Sequence, residues 1–174
     1  MNLEDELLLL AREREKISEG NLAEIWMDQP HKLRLQLRND LNTHADRKKL
    51  KHSGDAPHLK TLTGDLQEIV CPEVEFLSEA RLDFNIQLTR HQRRWLIRRF
   101  RFHLRLPASR NIKMVRIHLN DQTGFDPVRV PRCHLHVGDS AAHVPFPVME
   151  PRLLVHLICE YIEPDFGLDT QLQN

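Results

Sequence analysis

The sequence predicts an α+β protein in which a helical N-terminal arm precedes an antiparallel sheet of about four to five strands, with a C-terminal helix packed on one face. Three observations predict this class: apolar residues at helical spacing near the start, alternating apolar and polar residues in several runs between residues 81 and 137, and a helical apolar stripe after Pro151. The expected units are a helical arm over residues 1–52, an α+β core domain over residues 58–166 and a frayed tail over residues 167–174.

The beginning of the chain is predicted to form amphipathic helices. Leu3, Leu7 and Leu10 recur at the spacing of one helix face, and acidic residues occupy other positions around the axis. A second apolar cluster that ends at Trp26 predicts a short helix before Pro30. An apolar face on a separate arm needs a partner, so we expect Leu3, Leu7, Leu10 and Trp26 to bind a larger protein subunit.

The middle of the arm is compatible with two structures. The leucines of residues 31–52 suit one face of a helix, and some of them also alternate as in a strand. We favour a helix because no turn signal interrupts the segment. The composition of residues 53–57, Ser-Gly-Asp-Ala-Pro, is typical of a linker and predicts the boundary between arm and core. Residues 58–78 carry no clear pattern.

Four runs in the second half alternate between apolar and polar residues, which is typical of strands with one buried face. Their apolar positions are Leu82, Phe84, Ile86 and Leu88; Phe100, Phe102, Leu104 and Leu106; Val115, Ile117 and Leu119; and Cys133, Leu135 and Val137. Residues 108–111 predict a hairpin turn between the second and third runs, and a short strand is expected over residues 142–146. Pro151 suits the first turn of the closing helix.

Composition and cysteine spacing favour a protein of the cytoplasm. Cys71, Cys133 and Cys159 are far apart and lack C-x-x-C spacing, so we expect neither a disulfide framework nor a cysteine zinc site. The apolar run at residues 7–10 is too short for a signal peptide, and no stretch approaches the length of a membrane span. We therefore expect no membrane partner, and the sequence identifies no small-molecule substrate.

The polar positions of the predicted strands define a basic face. If the apolar residues of each strand face the helices, their neighbours face the other way. The span from Arg90 to Arg116 contains ten basic residues and no acidic residue. Arginine forks suit the geometry of phosphate groups, so nucleic acid is a predicted partner. The predicted contacts are Arg94, Arg99, Arg101, Arg105 and Arg116. The competing interpretation is that an acidic element of this chain or of a partner covers the face.

Histidines lie at the polar positions of the same strands. His134 and His136 are two residues apart on one strand and therefore point the same way. Unperturbed imidazoles titrate near neutral pH, so such a pair can transfer protons to and from a phosphodiester. In this interpretation His134, His136 and His118 are the catalytic residues of a small nuclease, and Arg101 and Arg116 hold the phosphate.

The histidine pair could instead share a metal ion. A third ligand would then be needed, and His118, His103 and Asp83 are nearest by strand pattern. An H-x-H pair is a short motif, and our prediction names neither a metal nor a cofactor. The sequence contains no Walker A loop, no G-x-G-x-x-G motif and no nucleophile-elbow serine, which disfavours ATP hydrolysis, dinucleotide redox chemistry and serine hydrolysis.

Residues 95–162 resemble small prokaryotic proteins of toxin–antitoxin and phage-defence loci, the TumE-like toxin components among them. The similar features are a strand that ends Arg-Ile-His at His118, a proline-containing loop, the segment Pro-Arg-Cys-His-Leu-His-Val-Gly over residues 131–138, and a helix start at residues 149–151. Those families more often carry an acid where His118 stands. The resemblance implies a defence or toxin context, with nucleic acid or a protein as the target.

These observations leave three hypotheses. The first is a non-catalytic accessory subunit that docks a larger protein through its arm and contacts nucleic acid through the basic face. The second is a small nuclease that uses the H-x-H pair. The third is a structural protein-interaction module whose basic face meets an acidic protein. We favour the first, because the chain lacks an established catalytic signature and begins with an amphipathic arm.

Overall fold

The computed structural model describes residues 23–46, 50–52, 56–121 and 130–163. Within them it shows helices and one antiparallel sheet, which confirms the predicted α+β class. The strands are β1 (Trp26–Met27), β2 (Leu50–His52), β3 (His58–Thr63), β4 (Leu66–Phe76), β5 (Arg81–His91), β6 (Arg94–Arg105), β7 (Met114–Leu119), β8 (Cys133–Val137) and β9 (Val144–Pro145). The helices are α1 (Pro30–Asp46) and α2 (Pro151–Leu157), and a π-helical turn (Ile158–Ile162) continues α2.

The sheet has nine strands in the described residues, which corrects the expected four to five. Its order is β2-β4-β5-β6-β7-β8-β9, with β1 added to β6 and β3 added to β4. Strands β4, β5 and β6 form two long hairpins, and the turn at residues 106–113 joins β6 to β7 as expected. The alternation of buried and partly buried residues along β5 and β7 follows the period of two that the sequence shows.

One hydrophobic core lies between the sheet and the helices. It takes alternate residues of the long strands, one face of α1 and the inner face of α2. Leu33, Leu37 and Leu41 recur every four residues on α1, and all three are buried in this core. At the contact between the helices, the Arg152 guanidinium donates two hydrogen bonds, of 2.7 and 2.9 Å, to the Asp40 carboxylate.

The described part of residues 1–52 contributes to the same hydrophobic core as the sheet. Leu33, Leu37 and Leu41 of α1 are buried in it, and β2 pairs with β4. The division of the chain into a helical arm over residues 1–52, a core domain over residues 58–166 and a tail over residues 167–174 stays a prediction.

Two local predictions need correction. The helix favoured over residues 31–52 is confirmed up to Asp46, but Leu50 to His52 form β2, where Leu50 pairs with Phe76 of β4 and its side chain is buried. The short helix expected before Pro30 is wrong, because Trp26 and Met27 form β1, in which Trp26 pairs with Leu96. Apolar residues at these spacings suit either structure, and pairing with a distant strand decides the outcome.

Most of the unassigned residues 58–78 form β3 and β4, which lie wholly within this range. Their pattern was hidden by an irregularity in β4. Its register against β5 shifts between Cys71 and Val74, so the buried positions run Ile69 and Cys71 and then Val74 and Phe76. A bulge adds a residue and breaks the period of two, which a search for strict alternation does not recognise.

None of the helices in the described residues is both long enough and apolar enough to cross a membrane.

Candidate functional site

Strand pairing brings the predicted histidines together. His118 of β7 is opposite His134 of β8, and Arg116 is opposite His136. On the other side of β7, His118 is opposite Arg101 and Arg116 is opposite His103 of β6. The requirement that these strands be neighbours in register is therefore met. Arginine and histidine alternate along β6 and β7, and β8 contributes histidines alone at these positions.

The chain after β8 folds back over the side chains of His134 and His136. Strand β9 pairs with β8 beside His134, and His143 lies in the connection between them. The His143 ring centroid is 4.7 Å from that of His134 and 4.5 Å from that of His136. His134 and His136 expose only 2% and 7% of their surface, respectively. The two histidines that the sequence singled out are thus buried, although they face away from the hydrophobic core.

A chain of polar contacts crosses the sheet from an acidic residue to the histidines. The Nε2 atoms of His103 and His118 are 2.9 Å apart. The Nδ1 atom of His103 is 3.6 Å from Oδ2 of Asp83. Arg105 donates to Oδ1 of Asp83 at 2.6 Å and contacts Glu73 at 3.0 Å. Acidic residues of β4 and β5 therefore neutralise one end of the basic face.

Burial keeps the histidines in their uncharged form. Desolvation is the largest cause that lowers the pKa of His118, and together with the neighbouring histidines and Arg101 it brings this pKa to about 3. Desolvation is also the main cause that lowers the pKa values of His103, His134 and His136. An uncharged imidazole keeps a lone pair, so these residues can accept a proton or coordinate a metal at neutral pH.

Three of the histidines lie in an arrangement that could hold a metal ion. His118, His134 and His136, named here the histidine triad, can each offer one ring nitrogen, and these atoms all lie within 4.8 Å of one another. Of the third ligands that strand pattern suggested, His118 belongs to the triad. His103 lies outside it, on β6 and next to His118. His143 was not recognised as a neighbour, because nothing in the sequence shows that the β8–β9 connection folds over β8.

The predicted nucleic-acid contacts have different surroundings. Arg105 is engaged by acids, and the guanidinium of Arg116 is partly buried, with Nε lacking a hydrogen-bond partner and Nη2 3.4 Å from the Gly138 carbonyl oxygen. Arg99 and Arg101 are exposed, and Nε of Arg99 donates to Gln87 at 2.7 Å. Arg94 lies at the opposite end of β6 from Arg105, and its Cζ atom is 5.4 Å from the Trp26 ring centroid.

The predicted partner-binding residues fall into two groups. Leu3, Leu7 and Leu10 lie outside the described residues. Trp26 is partly buried on β1, where its indole nitrogen donates to Glu24 at 2.9 Å and its ring meets His91 edge-on at 5.7 Å. Its ring contacts therefore include a basic surface at the turn between β5 and β6.

The cysteines do not contribute a reactive group to the site. Cys71, Cys133 and Cys159 are all buried. Burial raises the pKa values of Cys71 and Cys133 to about 12, so both thiols stay protonated at neutral pH.

In the comparisons with known proteins, no family model, no curated protein and no solved structure matches this chain.

Proposed function

We propose that this protein is a cytoplasmic, nucleic-acid-binding accessory subunit whose basic sheet face contacts phosphate groups. One observation carries the proposal: among the described residues, ion pairs engage Arg81, Arg98 and Arg105 of the long strands, whereas Arg99 and Arg101 are exposed and take part in none. Guanidinium groups left exposed on a regular surface are available to phosphates, which they bind through paired hydrogen bonds.

A second basic surface supports the same function. At the turn between β5 and β6, an open cleft of about 540 Å³ is lined by Trp26, His91, Gln92, Arg93 and Arg94. A tryptophan beside arginines can stack on a nucleobase while the arginines contact the backbone. Trp95, the other tryptophan, packs against the hydrophobic core and is not available for this role.

The accessory role rests on the N-terminal residues. We propose that Leu3, Leu7 and Leu10 dock a larger protein subunit, with Trp26 near the edge of that contact. The resemblance of residues 95–162 to proteins of toxin–antitoxin and phage-defence loci makes a prokaryotic defence complex the proposed setting. The three buried cysteines, which lack C-x-x-C spacing, are consistent with a reducing compartment.

Replacing Arg99 and Arg101 by alanine should weaken nucleic-acid binding. Each phosphate contact releases about one counterion on binding, so two lost contacts should reduce the magnitude of the slope of log K against log salt by about two. The affinity should fall roughly tenfold or more. Fluorescence anisotropy with single- and double-stranded RNA and DNA, measured over a range of salt concentrations, checks both quantities.

The matched control is the Lys51→Ala, Arg81→Ala variant. It removes the same two charges, but Glu75 and Glu73 already neutralise Lys51 and Arg81 in the structure. We expect its affinity to change by less than about threefold. Equal losses in both double variants would mean that net charge alone attracts the nucleic acid. An absence of any salt-sensitive binding would favour a protein-interaction module.

A nuclease is the second candidate function, and the strand register that places two arginines opposite histidines favours it. His134 and His136 would transfer protons, with His118 beside them, and Arg101 and Arg116 would hold the phosphate. Burial works against this function, because a proton-transfer residue must reach its substrate and both His134 and His136 are almost fully enclosed.

Cleavage assays distinguish this candidate. If the protein is a nuclease, the His134→Ala, His136→Ala variant should leave labelled RNA and DNA intact while its unfolding remains cooperative. A His58→Ala variant, which removes an exposed histidine on β3, should cleave as the original does. Cleavage that survives in the double variant would assign the activity to other residues or to a contaminant.

A further inference from the structure

The ring nitrogens of the histidine triad lie slightly farther apart than the ligands of a bound metal ion. These three nitrogens lie within 4.8 Å of one another. Tetrahedral zinc holds nitrogen ligands at about 2.0–2.1 Å, which places them about 3.3 Å apart, so modest side-chain rotations suffice to reach bonding distance. We propose that His118, His134 and His136 bind one divalent transition-metal ion of the zinc type, with a fourth position open. The proposal does not depend on nucleic-acid binding.

Hydrogen bonding fixes the proton of His134 on the side away from its coordinating nitrogen. Its Nδ1 atom is 2.7 Å from the carbonyl oxygen of Pro131. A carbonyl oxygen can only accept, so Nδ1 must carry the proton. In the uncharged ring the lone pair is then on Nε2. A histidine held by a backbone carbonyl through one nitrogen, with the other free, is the usual arrangement of a metal ligand.

His118 is oriented by a longer chain of the same kind. Arg105 keeps Asp83 paired as a carboxylate, and this carboxylate faces Nδ1 of His103. A carboxylate favours the proton of His103 on Nδ1, which leaves Nε2 of His103 as the acceptor for Nε2–H of His118 across 2.9 Å. The lone pair of His118 is then on Nδ1. Asp83 and His103 act as positioning residues that select the coordinating tautomer.

His136 is almost fully enclosed. It exposes 7% of its surface, and its Nδ1 atom completes no hydrogen bond, although the backbone of Ser140 and Ala142 interacts with the ring and opposes the lowering of its pKa. Burying a polar nitrogen without a partner is unfavourable. A bond to a metal ion, at the ring that already meets His118 and His134, would remove that cost.

The composition of the triad selects the class of ion. Three imidazoles suit zinc, cobalt, nickel and copper, whereas magnesium and calcium prefer oxygen ligands. Arg101 and Arg116 lie across from His118 and His136, so the open position favours an anion or water as the fourth ligand. His143 lies against the rings of His134 and His136 and lines the site from the β8–β9 connection.

The test is a titration of untagged, chelator-treated protein with Zn²⁺ at pH 7.5, in which isothermal titration calorimetry measures the heat of binding. We expect one equivalent to bind, with a rise in the thermal unfolding midpoint, and a Co²⁺ complex whose visible absorption is that of a tetrahedral site. The single variants His118→Ala and His134→Ala should each weaken binding by about 100-fold or more, because two remaining imidazoles hold the ion poorly.

His58→Ala is the matched control, since it removes an exposed histidine on β3 and should bind Zn²⁺ as the original protein does. If a triad variant does not fold, the Zn²⁺ titration of the original protein still tests the proposal. Failure to bind one equivalent of Zn²⁺ at micromolar concentration overturns the proposal. Binding that is unchanged in folded His118→Ala and His134→Ala variants overturns it equally.

Discussion

Acidification from pH 7 to 4.5 should destabilise the metal-free protein, with His118 alone contributing about 2–3 kcal/mol. Its pKa is about 3 in the folded protein and near 6.5 when the chain is unfolded. Between these values the unfolded chain binds a proton that the folded chain does not. A lowered pKa therefore stabilises the fold fully above pH 6.5, and this contribution is lost progressively as the pH falls toward 3.

The other buried histidines change stability in the same direction. Desolvation lowers the pKa values of His103, His134 and His136, so each also resists protonation in the folded state. The imidazoles of adjacent strands lie close together, with ring centroids 5.2–5.4 Å apart, so a second proton binds less favourably than the first. The loss of stability on acidification should therefore be larger than that from one residue.

Urea unfolding at pH 7 and 4.5, in the presence of a chelator, measures the effect. The His118→Asn variant keeps a polar side chain at this position and removes the group that titrates. Its loss of stability between the two pH values should be smaller than that of the original protein by about 2 kcal/mol. An equal loss in both proteins would show that carboxyl groups, and not His118, dominate the acid response.

The histidine surface could be anticipated because it depends on strand periodicity and on neighbouring hairpins. Alternation along β6, β7 and β8 places His103, His118, His134 and His136 on one face whenever these strands pair in sequence order. The packing of the β8–β9 connection, and with it the position of His143, depends on contacts that no local pattern encodes.

The availability of the basic face was harder to predict. The span from Arg90 to Arg116 lacks acidic residues, yet Glu73, Asp83 and Asp121 come from outside it and pair with Arg98 and Arg105. Ion pairs of this kind join residues far apart in sequence, so a count of charges within one span overstates the free positive charge. It also led us to group Arg105 with Arg99 and Arg101, whose surroundings differ.

Truncation of Leu37 should test whether α1 belongs to the core. Leu37 is completely buried on α1 among core residues, so Leu37→Ala removes two methyl groups and the methine carbon that bears them, and leaves a cavity. The expected loss in the free energy of unfolding is about 2–5 kcal/mol. Denaturant unfolding followed by both tryptophan fluorescence and circular dichroism would measure this loss.

Leu35→Ala is the matched control on the same helix, because Leu35 is 37% exposed and alanine is at least as favourable in a helix. Its cost should stay below about 1 kcal/mol. If residues 30–46 instead formed an arm separate from the sheet, Leu37→Ala would leave the main transition unchanged, and only a minor helical signal would melt early. A single, coincident transition that shifts in Leu37→Ala and not in Leu35→Ala requires the helix and the sheet to unfold together. The proposed docking segment would then end before residue 30, and a partner bound there would sit beside a helix that is part of the core.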